Sequence, residues 1–86
     1  MAIQIGRSSK DLADELRRAI ETALPGAEVT VLPADPGHFR VGVVSQAFAG
    51  KNRVLQQQMV YAAIGPFMRG ADAPVHAIDE LQTATP

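Results

Sequence analysis

Two histidines, His38 and His76, offer most of the chemistry available near neutral pH in this 86-residue chain, and no cysteine stands beside them. A lone histidine is weak evidence of ligation. His76 opens the last apolar stretch, where it can equally cap a strand end or bond a backbone carbonyl. His38 closes the loop over residues 33–37, and is either a loop ligand or a polar residue on an exposed strand face. The missing cysteines remove disulfides, thiolate nucleophiles and zinc-finger sites together, and agree with a reducing compartment. Enzymatic constellations are missing as well. The sequence holds no Gly-x-Ser-x-Gly elbow, no His-Glu-x-x-His helix and no phosphate-binding glycine loop. The adjacent Asp79 and Glu80 have no evident acid–base partner and read as a solvated bulge. A non-enzymatic module is therefore expected.

The elements that must position these residues follow from the apolar spacing. Ser8 stands three residues ahead of Asp11, a helix start, and Leu12, Leu16, Ala19, Ile20, Ala23 and Leu24 then recur by threes and fours. Asp14 and Arg18 sit four apart on the opposite face, and Pro25-Gly26 ends the helix. Residues 28–31 alternate polar and apolar, as a strand with one wet face does. Residues 38–44 form a second strand with Phe39, Val41 and Val43 on one side, antiparallel to the first. After a connection over 45–52, helical spacing returns through Val54, Leu55, Met59, Ala62, Ala63 and Phe67. Gly65-Pro66 should divide that helix, because proline lacks a donor and clashes with the preceding turn. Met59 and Met68 read as core filler. A last strand over 75–83 needs a bulge near Asp79-Glu80, since Ile78 and Leu81 would otherwise face opposite sides.

The expected order is helix, strand, strand, helix, strand: an α+β two-layer sandwich of two helices over a three-stranded mixed sheet. A tail over 1–8 precedes a single domain over 9–86, and a chain of this length has room for no second domain. Eight Lys and Arg nearly cancel nine Asp and Glu, so no overall field draws the chain to nucleic acid or a membrane. No secretory signal is expected in the first residues and no stretch of eighteen apolar residues occurs, so a cytoplasmic, membrane-free, monomeric chain is expected.

Several strings coincide in order: Ala23-Leu24-Pro25-Gly26-Ala27, Gly37-His38-Phe39-Arg40-Val41, Val44-Ser45 with Phe48, Gly50-Lys51, Arg53-Val54, Gln57-Gln58-Met59-Val60-Tyr61, and Val75-His76-Ala77 leading to Thr85-Pro86. Together they resemble the BolA family over residues 9–86. Gln56-Gln57-Gln58, where the better-known branch has Arg-His-Arg, looks like the YrbA/IbaG branch. The stretch from His76 to Pro86 is one residue longer than the usual pattern, in keeping with a bulge.

The resemblance implies a class II KH-like fold, partnership with a monothiol glutaredoxin, and a role in iron–sulfur trafficking or iron and redox regulation. It also implies a [2Fe–2S] cluster held between the glutaredoxin cysteine, a glutathione thiol and the histidine matching His76. A second ligand comes from the loop between the first two strands, for which His38 is the candidate; Asp35 is a hard oxygen donor that suits cluster iron poorly. The isolated chain is not expected to hold the cluster tightly, because it must borrow sulfur ligands. Neutral imidazole in place of thiolate should raise the cluster potential and make ligation pH-dependent. The docking surface is expected around His76, His38 and the turn over 50–53. The alternative is a DNA-binding transcriptional and stress-response regulator using the basic residues Lys51, Arg53, Arg40 and Arg69. RNA binding of KH type is disfavoured, because Gly50-Lys51-Asn52-Arg53 carries arginine where a Gly-x-x-Gly loop needs its second glycine.

Overall fold

The computed structural model describes residues 8–86. Of the expected tail, residues 1–7 lie outside the described residues, and Ser8 belongs to the first helix as its cap. Helix α1 (Ser9–Ala23) starts where the Ser8 hydroxyl accepts the Asp11 N–H at 3.0 Å, satisfying one of the donors a helix start leaves open. It stops at Leu24, and the chain turns away through Gly26 at φ +84°. Leu12, Ala13, Leu16, Ile20 and Leu24 are buried, so the inward stripe runs through Ala13 rather than Ala23. Asp14 pairs with Lys10 at 3.3 Å in place of the expected Arg18, and Arg17 pairs with Glu21 at 3.0 Å.

Strands β1 (Glu28–Pro33) and β2 (His38–Val44) are antiparallel, with Val31 opposite Val41. The turn between them is tight: His38 N–H donates to the Asp35 carbonyl at 2.8 Å, with Pro36 and Gly37 at its centre and Gly37 at φ +79°. Proline followed by a residue at positive φ is the pattern of a type II turn, which glycine accepts without strain. After β2 a short 3₁₀ turn (Gln46–Phe48) leads to helix α2 (Arg53–Ile64), capped by the Asn52 side chain on Leu55 N–H at 2.9 Å. The helix divides at the expected place, passing into a 3₁₀ turn over Gly65–Phe67.

Strand β3 (Ala77–Ala84) runs parallel to β2, completing a mixed sheet in the order β1-β2-β3. The expected bulge is present: Phe39 stands opposite Ile78 and Arg40 opposite Glu80, so Asp79 has no partner across the ladder. Ile78 and Leu81 consequently both pack against the core. Both helices cover one face of the sheet, closing over Phe39, Val41 and Val43. On α2 the inward face is Val60 and Ile64, flanked by Met59, Ala63 and Phe67, whereas Val54 and Leu55 are 60% and 46% exposed. This corrects the expected helical stripe, which had placed Val54 and Leu55 inward; at 100° per residue they fall far from the Val60 side. Among the described residues no helix is long and apolar enough to cross a membrane.

Candidate functional site

His38 begins β2 and His76 immediately precedes β3, and the parallel pairing of these strands brings the two residues to one corner of the sheet. Their ring centroids are 6.4 Å apart, edge to face at 85°. The Gly37 carbonyl holds the corner together by accepting the N–H of His76 at 2.7 Å and that of Ala77 at 3.2 Å. The His76 ring lies directly over Gly37. A Cβ on that glycine would come within 2.7 Å of His76 Nδ1 and 2.9 Å of its Cγ. The Nδ1 edge therefore faces the turn and Nε2 is the distal nitrogen, on a side chain exposed to solvent.

His38 is held differently. Its Nδ1 lies 2.9 Å from Asp79 Oδ1, the carboxylate that the bulge leaves unpaired in the ladder. An ionised carboxylate only accepts, so Nδ1 is the donor in this contact, and in the neutral form of the ring Nε2 is then the bare nitrogen. The pair is 36% and 41% exposed, which limits its direct contribution to stability to about 1 kcal/mol and makes orientation its main effect. Asp79 is the residue that sequence reasoning passed over: read as solvated and partnerless, it is bonded to His38. The signal lay in the bulge itself, which had to push one side chain out of register at this corner.

Among the described residues no group of three or more His, Cys, Asp or Glu is arranged to hold a metal ion. Two imidazoles side by side are thus an incomplete site, and an ion bound here would need the rest of its ligands from a second molecule. Asp35 contributes its carbonyl to the turn, as the acceptor for His38 N–H.

The basic candidates separate into two groups. Arg40 sits on the open sheet face near the histidines, bordering a shallow trough of about 350 Å³ with Thr30, Leu32, Gly42, Glu80 and Gln82. Lys51 and Arg53 flank the Asn52 cap of α2 at the other end of the sheet, where Arg53 lies beside Leu81, Gln82 and Thr83. The Gln56 side chain fixes this end, donating to the Lys51 carbonyl at 2.8 Å and accepting the Thr83 hydroxyl at 2.7 Å. Six residue steps along β3 lead from Ala77 to Thr83, a distance of about 20 Å. The structure therefore joins His38 to His76 but does not join either to the 50–53 turn. Arg69 packs its guanidinium against Gly65.

Comparison with known proteins bears on this arrangement. A family model described as BolA-like protein matches residues 12–86. A protein of Acinetobacter guillouiae, described as an uncharacterized protein in the rpoN-murA intergenic region, is 35% identical over 66 residues, covering 77% of this chain and 76% of that protein. Among solved structures, a BolA protein homologue from Coxiella burnetii superposes with a TM-score of 0.70 at 28% identity, covering 94% of each chain. BolA1 from Arabidopsis thaliana gives a TM-score of 0.70 at 26% identity, covering 86% of this chain and 90% of that one.

Proposed function

The chain belongs to the BolA-like family, and from that premise we propose that it is a non-enzymatic adaptor which pairs with a monothiol glutaredoxin and shares a [2Fe–2S] cluster with it. The observation that carries this reading is the placement of two exposed imidazoles at one corner, each with its Nδ1 edge turned to the protein and Nε2 left free. Neutral imidazole nitrogen is a good donor to iron, and a chain without cysteine cannot complete a cluster site unaided. His76 is the first ligand and His38 the second, with thiolates supplied by the glutaredoxin and by glutathione. When bound, the cluster supplies a transferable iron–sulfur unit and one-electron chemistry. The chain's own residues orient the imidazoles and set which partner surface meets them.

The test is reconstitution with a monothiol glutaredoxin, iron, sulfide and glutathione, followed by visible absorption and circular dichroism. The wild type should give spectra distinct from those of the glutaredoxin homodimer, and His76→Ala should return the homodimer spectrum. Homodimer spectra in both mixtures would sink the proposal.

A second reading, contact with DNA, rests on the opposite end of the molecule. Lys51 and Arg53 are exposed beside the N-terminus of α2, whose first turn carries no acidic residue, and form no ion pair among the described residues. Amide groups at a helix start favour phosphate, and two lysine or arginine contacts give a slope of log K against log salt of about −2. An affinity that ignores salt and survives Lys51→Ala with Arg53→Ala would dispose of that reading.

A further inference from the structure

Resting on the adaptor reading for its purpose though not for its geometry, we infer that Asp79 is the positioning residue that makes His38 the second imidazole donor. It does so by holding the ring as the Nδ1–H form with Nε2 directed away from the protein. Three observations converge on this. The β-bulge gives Asp79 no cross-strand partner, which frees it from the alternation that governs the rest of β3. Its Oδ1 lies 2.9 Å from His38 Nδ1, across 41 residues of sequence. The ring so held stands beside His76, centroids 6.4 Å apart, so the carboxylate on Nδ1 orients the ring whose opposite nitrogen, Nε2, a shared ion would meet.

Both chemistry and geometry require a device of this kind. A neutral imidazole presents one protonated and one bare nitrogen, and only the bare one ligates. Without a partner, His38 would rotate freely about two bonds on a partly exposed strand end and exchange between forms. A carboxylate on Nδ1 removes both freedoms, as carboxylates behind metal-bound histidines commonly do. Among the described residues no carboxylate bonds His76, whose ring packs over Gly37. The corner therefore orients its two rings by two independent means. Glu80, the next residue, points its carboxylate elsewhere, accepting from the Gln82 amide at 2.8 Å.

The experiment reads the ring directly in the isolated protein, with no cluster present. Long-range proton–nitrogen correlation spectra at pH about 8.5, where ordinary imidazole is neutral, should show His38 predominantly as Nδ1–H in the wild type. Asp79→Ala should move it toward Nε2–H, and Glu80→Ala, which removes the same charge one residue away, should leave it unchanged. A His38 that is Nε2–H in the wild type, or that keeps its form in Asp79→Ala, overturns the inference. Reconstitution with a monothiol glutaredoxin and glutathione is the second arm, in which Asp79→Ala should shorten the lifetime of the shared cluster about ten-fold. If His76→Ala proves silent in that arm while the nitrogen spectra behave as stated, the adaptor reading fails and the positioning role stands. If the nitrogen spectra fail while His76→Ala abolishes the shared cluster, the reverse holds.

Discussion

At the scale of single residues, the corner depends on a glycine more than on any charged group. Gly37 is at φ +79°, its carbonyl ties down the backbone of His76 and Ala77, and its missing side chain is the space the His76 ring occupies. Gly37→Ala must adopt a left-handed conformation and displace a ring that would lie 2.7 Å from the new methyl. The combined cost should be on the order of 1–3 kcal/mol. Urea denaturation should register this loss, and the His76 ring resonances should shift in the same variant. Unchanged stability together with unchanged His76 resonances would mean that the turn and the ring are not coupled in this way. Both histidines could be picked out of the sequence as the groups with chemistry to offer, because they are few and no cysteine competes with them. The bond from His38 to Asp79 could not. It joins residues whose proximity is set by a parallel strand register, and no local pattern encodes which bulge residue will meet which ring.

At the scale of elements, the order α-β-β-α-β was legible because each element carries its own period and its own stop. Ser8 and Gly26 bracket α1, alternation marks β2, and Gly65-Pro66 divides the second helix. Even the bulge was legible, since Ile78 and Leu81 cannot share a face of a regular strand. What failed was the inward face of α2. Apolar residues occupy most of its circumference, so spacing alone does not choose between the Val54–Leu55 side and the Val60–Ile64 side. The choice is made by Phe67 and Met59, which continue the Val60 face into the core. That face can be tested by substitution. Val60 is fully buried and Leu55 is 46% exposed. Val60→Ala should cost about 2 kcal/mol through lost burial and the cavity left behind. Leu55→Gln should change stability by no more than about 0.5 kcal/mol, as surface replacements usually do. Comparable losses in the two variants, measured by denaturant midpoints at constant slope, would place the helix in a different rotation.

At the scale of the whole molecule, the mixed sheet places the two candidate sites at opposite ends. Because β2 and β3 are parallel, their starts gather His38 and His76, and their finish meets the α2 cap with Lys51 and Arg53. The histidines and the 50–53 turn stand about 20 Å apart along the strands, a span that one partner surface of ordinary size can cover. Between the ends lies a continuous core including Phe39, Val41 and Val43, with Gln56 locking α2 to the Thr83 end of β3. This arrangement separates the two proposed binding sites physically. Sites farther apart than about 10 Å with no shared partner behave additively. Removing the charges of Lys51 and Arg53 together should therefore leave the visible circular dichroism of a cluster shared with glutaredoxin unchanged, and its lifetime within about two-fold, a difference under about 0.5 kcal/mol. His76→Ala alone should eliminate that signal, and adding it to the charge-removal variant should have no further consequence for DNA affinity. The measurement is a set of four proteins, each examined by reconstitution and by a salt-dependent gel shift. A large loss of cluster lifetime in the Lys51 and Arg53 variant would show that one partner footprint spans both ends. The glutaredoxin would then contact the α2 cap as well as the histidine corner, and the two activities would compete for the same surface.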